Sequence, residues 1–352
     1  MNKMRLFQNT LALFLLACYS NPLYAIFSIP YYRIHEHPEE KMLREMEGPF
    51  FTGPLLAPSP NIVPIYHTNF EPYIYVTKTS HVYDSDWHSK HVPTVVSSQL
   101  ALPFWTGLSN SWDIQITPQA SWNHSHGQAR FVFNDFPVAI DYQLVKSKKD
   151  KWYPPIKLTI QETFPTGKYQ HLNPHKNGTD MGGAGSYQTQ FSITTGKLVN
   201  VRKYMWYNVR LNLAYTVPSS VHVEGFNAYG GARDTRGKAY PGNSFRAILG
   251  QEFSLNLHWA LAFDIDYQHN DRNRFSGRKG ISIPVGTATP GTAGIPVVAK
   301  VGGPSQEQLS IAPALEYNWN STLGIIGGAW FTVAGRNSSD FTSYVVAFNW
   351  FY

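Results

Sequence analysis

Residues 111–122 read Ser-Trp-Asp-Ile-Gln-Ile-Thr-Pro-Gln-Ala-Ser-Trp, which places Trp112, Ile114, Ile116, Pro118, Ala120 and Trp122 against Asp113, Gln115, Thr117, Gln119 and Ser121. Apolar and polar side chains alternate for twelve residues, a period of two that an extended strand turns into two opposite faces. Strands of soluble domains usually stop at about five or six residues. A strand that crosses a bilayer at a tilt needs about 9–11. Residues 207–216 repeat the pattern, with Tyr207, Val209, Leu211, Leu213 and Tyr215 on one face. Residues 259–268 do so again, with Trp259, Leu261, Phe263, Ile265 and Tyr267 opposite Ala260, Ala262, Asp264, Asp266 and Gln268.

Two compositional facts narrow the reading. Only 15% of residues are charged, against roughly 25% in soluble globular chains. Yet mean hydropathy is -0.28, and nothing after residue 25 approaches the ~20 apolar residues of a spanning helix. The remaining way to satisfy every backbone hydrogen bond in hydrocarbon is a closed barrel without edges. The expected fold is therefore all-β, a transmembrane antiparallel up-and-down barrel of about twelve strands. The strands are expected over 69–78, 94–106, 111–123, 134–145, 155–164, 187–199, 206–217, 244–255, 258–269, 307–319, 322–334 and 341–352. Connections after the second, eighth and tenth are brief and those after the fifth, seventh and ninth long, the periplasmic and extracellular asymmetry of outer-membrane barrels. Trp105, Trp112, Trp152, Trp206, Trp259, Trp319 and Trp350 fall towards the brief-turn side, as an interfacial girdle would place them. The final strand carries Tyr344, Val346, Phe348, Trp350 and Tyr352 on one face up to the last residue. That ending resembles the signal read by the bacterial outer-membrane assembly machinery, with Phe348, Trp350 and Tyr352 as its core. A buried last strand of a β-sandwich is the alternative, and the strand lengths count against it.

The start of the chain is different. Lys3 and Arg5 precede the apolar run 11–17, and Leu23-Tyr24-Ala25 ends in a small residue, so residues 1–25 read as a secretory signal peptide. Removing them takes Lys3 and Arg5 from 29 basic against 23 acidic residues and lowers the net charge from +6 to +4. Neither value points to nucleic acid. Cys18, the only cysteine, lies within the leader, so the mature chain would have no disulfide or thiolate metal site. Leu15-Leu16-Ala17-Cys18 resembles a lipoprotein processing site, with Leu16 where a small residue is usual. Residues 26–68 are rich in proline and do not alternate. They read as a periplasmic extension or a barrel plug, with a short amphipathic helix expected over 39–47, and the barrel proper is expected over 69–352.

Gly48-Pro49-Phe50-Phe51-Thr52-Gly53-Pro54-Leu55-Leu56-Ala57-Pro58, Glu71-Pro72-Tyr73, and Glu162-Thr163-Phe164-Pro165-Thr166-Gly167-Lys168-Tyr169 resemble segments of proteobacterial outer-membrane proteins grouped as phenol meta-pathway or transporter-like barrels. The resemblance covers about residues 48–352. It implies a barrel for passage of small, often aromatic, compounds and supplies no catalytic motif.

Lumen-facing positions include Asp113, Asp141, Lys157, Arg210, Arg246, Glu252, Asp264, Asp266 and Glu316. Such charges act either as a polar conduit whose field selects solutes or as a paired network that fills and stiffens a narrow barrel. Twelve strands lie between filled eight-stranded barrels and open 16–18-stranded porins, so a small or plugged pore is expected. His81, His88, His91, His124, His126, His171, His175, His222 and His269 fall in or beside the long-loop side. His81, His88 and His91, with Asp84 and Asp86, have metal-ligand chemistry without the spacing of a closed site, so no metal or cofactor is expected. Ser125 between His124 and His126 is the nearest nucleophile and base, but neighbours in an extended segment point apart. The basic run 146–151 is expected at a periplasmic turn. The Gly-rich stretches 225–242 and 277–303 lack phosphate-loop spacing. The expected function is passive passage of small, aromatic or hydrophobic solutes by a non-enzyme whose partners are outer-membrane lipids, the assembly machinery and its solutes. The alternatives are a lipid hydrolase or lipid-modifying enzyme, and a surface-interaction protein acting through its long loops.

Overall fold

The computed structural model describes residues 49–146, 153–202, 205–282 and 297–352. The leader with Cys18, the helix expected over 39–47, Trp152 and residues 147–151 of the basic run lie outside them.

Within these residues twelve long strands follow one another: β1 (Thr68–Phe70 and Tyr73–Tyr83), β2 (Ser89–Ala101 and Phe104–Gly107), β3 (Trp112–Ile116 and Gln119–Ser125), β4 (Gln128–Phe133 and Phe136–Val145), β5 (Ile156–Phe164), β6 (Gln188–Arg202), β7 (Met205–Pro218), β8 (Ser244–Ser254), β9 (Trp259–Asn270), β10 (Gln306–Asn318), β11 (Leu323–Arg336) and β12 (Ser339–Phe351). Each pairs antiparallel with the next. β12 returns to β1, with Trp350 opposite Phe70 and Ala347 opposite Tyr73, and closes the sheet. The ring of strands is thereby continuous, the condition for a sheet in hydrocarbon, and among the described strands the upper part of β4, Gln128–Phe133, is paired on one side alone, with Ala120–Ser125 of β3.

The alternation sorts side chains to the two sides of the wall. Trp122, Phe131, Ile160, Phe191, Leu261 and Tyr344 are exposed on the outside, while Asp113, Asp141, Thr194, Glu252, Asp264 and Glu316 are buried inside. This inversion of a soluble core is what lipid outside and packed polar groups inside require. At the brief-turn end Trp112, Trp259, Trp319 and Trp350 are exposed. Their rings touch other aromatics, Trp112 on Tyr142 at 4.6 Å and Trp259 on Tyr317 at 4.8 Å between centroids. Trp105 and Trp206 are half-buried.

Twelve strands agree with the sequence reading, but several run further than expected at the other end. β3 and β4 are joined by His126-Gly127, both at positive φ (48° and 74°), the conformation of a tight hairpin turn. Asn337, at φ 52°, makes the corresponding turn between β11 and β12. The polar run Asn123–Arg130 hides the alternation there, because both faces of a strand are wet above the bilayer.

Strands β1 to β4 share an interruption. It falls at Glu71-Pro72, Leu102-Pro103, Thr117-Pro118 and Asn134-Asp135, the last followed by Pro137. Across it Phe348 donates to the Pro72 carbonyl (3.1 Å), Glu71 to Pro103 (3.1 Å), Leu102 to Pro118 (2.9 Å) and Thr117 to Pro137 (3.0 Å). A hydrogen-bonded antiparallel pair normally exchanges two such bonds, and a proline nitrogen has no hydrogen to return. Each pair therefore makes one bond. Since 71 and 72, 102 and 103, and 117 and 118 are consecutive, the four deficits line up as one seam across β12, β1, β2, β3 and β4.

Candidate functional site: the lumen and its strap

Residues 49–64, rich in proline and poor in backbone donors, cannot join a sheet ladder, and their remaining amides need other acceptors. Carboxylates and carboxamides of the inner wall supply them. The Thr52 amide donates to Glu316 Oε2 (2.9 Å), the Leu56 and Ala57 amides to the two oxygens of Asp264 (3.1 and 3.2 Å), the Ile62 amide to Gln143 (2.8 Å) and the Val63 amide to Asp113 Oδ2 (2.6 Å). Gln143 also donates to the Pro60 carbonyl (3.0 Å), and Thr52 Oγ1 donates to Asn318 (2.7 Å). Hydrogen bonds to charged acceptors contribute about 1.5–3 kcal/mol each when formed in place of water contacts. The segment is thus a strap held across the lumen by its backbone.

The wall beneath it is cut to receive it. Leu55 is buried against Ala262, Ala312, Ala314, Ile326, Val345 and Ala347, with Leu56, Tyr73, Tyr75 and Trp330 packed around it, and Ala57 is buried as well. A Cβ on Gly250 would stand 2.5 Å from the Ala57 Cβ and 2.7 Å from Pro54 Cγ, and one on Gly324 would stand 2.2 Å from Thr52 Oγ1. Glycine and alanine at these positions are the space the strap occupies.

The nine charges singled out from the sequence gather into three groups. Lys157 pairs with Asp141 at 2.9 Å, both buried, and Thr159 donates a short hydrogen bond to the other Asp141 oxygen. Register places Asp113 directly opposite Asp141. Arg210 pairs with Glu252 at 3.0 Å and reaches the Ala57 carbonyl at 3.5 Å, and Asn208 donates to Glu252 at 2.6 Å. Arg246 grips both Asp266 oxygens, at 2.8 and 3.0 Å, and lies over the Trp330 ring at 5.9 Å. Asp264 gives both oxygens to the strap, and Asp113 and Glu316 give one each. A sequence shows which charges face inward but not that their partner is a backbone 50 to 264 residues away in the chain, so the strap's acceptors were not legible as such.

Along β2 to β4 above the strap, neutral side chains bond one another. Ser97 donates to Asn123 (2.8 Å), Gln99 to Gln119 (2.8 Å) and Ser121 to Asn134 (2.8 Å). An aromatic wall interrupts this lining, Tyr73 stacked on Tyr75 at 5.7 Å and Trp330 edge-on to Phe341 at 4.8 Å. Tyr73 directly follows Pro72 of the seam. Sequence reading missed this wall, because inward aromatics on β1 and β11 share their strands with outward ones.

The long connections fold into a cap. Val221–Glu224, Arg236–Tyr240 and Arg274–Arg278 form a three-stranded sheet whose inner side carries Val221, Val223 and Ala239 with Tyr169, Tyr229 and Phe275. Residues 165–187 reach back onto the inner side of β3 and β4. The Asp135 carboxylate accepts the Gly167 and Ala184 amides (2.9 and 2.8 Å), and Asn134 donates to the Gly182 carbonyl (3.2 Å).

The histidines do not converge. His81 and His91 are strand residues facing each other edge to face at 5.2 Å, and Asp84 is taken by Lys90 at 2.8 Å. Among the described residues no group of three metal-ligating side chains forms. Ser125 departs from expectation: its Oγ lies 2.9 Å from His126 Nδ1, because His126 leaves the extended conformation at the turn. Ser125 is nonetheless buried, so its hydroxyl is withheld from any substrate.

A closed twelve-stranded sheet, apolar towards lipid and polar towards a filled lumen, defines an outer-membrane β-barrel of the bacterial type. No protein-family model matches the chain, and no curated protein matches it. Among solved structures it is similar to an outer membrane channel from Pseudomonas putida F1, at 12% identity, over 82% of this chain and 97% of that one, with a TM-score of 0.60. The NanC porin (10% identity, 80% and 98% covered) and a mutant of the monoaromatic hydrocarbon channel TodX (11%, 82% and 91%) both reach a TM-score of 0.38. The first likeness is one of fold.

Proposed function

We propose that the barrel is a passive conduit for small uncharged solutes, aromatic ones included, which leave through the wall rather than along its axis. The observation that carries this reading is the junction of the aromatic wall with the proline seam. The lumen charges pair with one another or bond the strap, and the atoms left over, Asp113 Oδ1, Glu252 Oε1, Glu316 Oε1 and Arg210 Nε, are buried, so they offer a passing ion no accessible partner of the kind a selective pore needs. The axial path is occupied by the strap on one side and covered by the cap. At the level of Tyr73 the wall is short of four hydrogen bonds, and an apolar molecule held on the tyrosines faces the weakest line of the sheet. The similarity of the 48–58 and 162–169 segments to transporter-like barrels supports the same reading, against a lipid hydrolase.

Replacing Pro103 and Pro118 by valine restores two ladder bonds, each of about 1 kcal/mol, without placing new groups in the lumen. In liposomes the double variant is expected to assemble fully and to lose most of its uptake of phenol, while the wild type takes up phenol faster than glucose and shows little ion conductance in planar bilayers. Equal phenol uptake by variant and wild type would reject the seam as the route. Equal uptake of phenol and glucose, with high conductance, would make the protein an ordinary axial pore.

A further inference from the structure

The outward side of the cap sheet is strongly basic. Register sets Arg236 opposite Arg278 and Glu224, Lys238 opposite Ser276 and His222, and Arg274 opposite Tyr240. All of these point away from the side that carries Val221, Val223, Ala239 and Phe275. Residues 219–243, 270–282 and 297–305 hold eight Lys and Arg against three Asp and Glu, an excess of five, larger than the +4 of the whole chain without its leader. Charge has been gathered here at the expense of the rest.

Like charges directly opposite one another weaken a sheet, so the Arg236 and Arg278 pair has a cost to the fold. Each is anchored from the side by one acid, Arg236 by Glu224 at 3.2 Å and Arg278 by Asp234 at 2.6 Å, which holds them in place. Lys238 lies over the exposed Tyr240 ring at 5.5 Å. Among the described residues the three strands of this sheet put no aliphatic side chain on this side, which counts against a protein partner with an apolar interface centre and against insertion into lipid. Rows of cations two residues apart recur about every 6.6–6.8 Å along a strand, an array for an extended polyanion. The tyrosine ring beside them offers the flat apolar surface on which a sugar ring stacks.

We infer that the outward side of the cap sheet, with Arg236, Lys238, Arg274, Arg278 and Tyr240, is a docking surface for a carboxylated polysaccharide. The inference is independent of what passes through the barrel.

The test uses the full chain in nanodiscs over immobilised polygalacturonate, with dextran as the neutral control and lipopolysaccharide-containing vesicles as a separate arm. Wild type is expected to bind polygalacturonate and not dextran, with affinity falling as salt rises. Lys238→Gln with Arg274→Gln removes two cations that anchor no acid, and is expected to weaken binding about thirty-fold, the weight of two cations at a charged surface. Tyr240→Ala is expected to weaken it without changing the salt dependence. Heat-modifiable mobility identical to wild type confirms that the variants are folded. Unchanged binding by the folded double variant, equal binding to dextran, or binding to lipopolysaccharide vesicles without binding to polygalacturonate would each overturn the inference.

Discussion

Gly250 shows at the level of one residue how the lumen is organised. It lies on β8, flanked by Leu249 and Gln251, and the strap passes over it so closely that even a methyl group would overlap Ala57 and Pro54. Gly250→Leu is therefore expected to unseat the strap locally, with an overpacking cost of about 1–3 kcal/mol, while leaving the outer face of the barrel unchanged. A rise in single-channel conductance with wild-type heat-modifiable mobility is the expected result, and unchanged conductance would show that the strap stays put. The sequence marks Gly250 only as a gap in an alternating strand. Asp264 is legible as an inward charge, but its hold on the Leu56 and Ala57 amides belongs to the folded chain.

Among the elements, β12 has the greatest leverage because it pairs with β11 and also closes the barrel on β1. Its last residue participates: Tyr352 and Thr68 exchange both backbone bonds, at 2.7 and 2.9 Å, and the Tyr352 ring lies 5.2 Å from Trp350. A charge near the interface costs the folded barrel only about 0–1 kcal/mol. Tyr352→Asp is expected to impair assembly far more than that figure allows, while the loop control Ser276→Asp does not, as read by heat-modifiable mobility of membrane fractions. Equal assembly of the two would remove the role proposed for Phe348, Trp350 and Tyr352 in recognition by the assembly machinery. The cap is a second element with its own condition. Asp234 accepts the Ile281 amide and the Arg278 guanidinium, which hold its carboxyl below its ordinary value of 3.8. Burial would raise Asp180, but Lys168 and the Asn173 amide outweigh it, and its value is lowered too. Carboxylates depressed in the folded state lend stability that is complete above their unfolded value and is lost as pH falls through the folded one. The cap is expected to be as protected at pH 5 as at pH 7 and to loosen below about pH 4. Amide exchange over 228–240, corrected for its intrinsic pH dependence, measures this, and loosening already at pH 5.5 would contradict it.

For the whole molecule, barrel and strap have separable stabilities. The twelve-stranded wall closes through its own ladder, whereas the strap adds bonds to Glu316, Asp264, Gln143 and Asp113 on its inner face. A chain lacking residues 49–64 is expected to insert and close, to conduct ions more readily than the full chain, and to melt at a lower temperature because three inner carboxylates lose their amide donors. Failure to insert would make the strap part of the folding core. Normal insertion with unchanged conductance would mean that the cap alone closes the path.

The alternation seen in 111–122, 207–216 and 259–268, followed through twelve segments of the chain, was enough to establish the barrel and its strand number, because a period of two records which side of a thin wall each residue faces, and lipid imposes that pattern along the chain. The long connections after β5, β7 and β9 were legible for the same reason. Three features became visible only in the tertiary structure. The prolines at 72, 103, 118 and 137 are scattered in sequence and form a line only once four strands lie in register. The strap's proline-rich segment has no periodicity, so its place follows from acceptors on β3, β4, β9 and β10 that meet it only in the closed barrel. The basic side of the cap draws on three short strands in two different loops, and pairing across space brings their cations together.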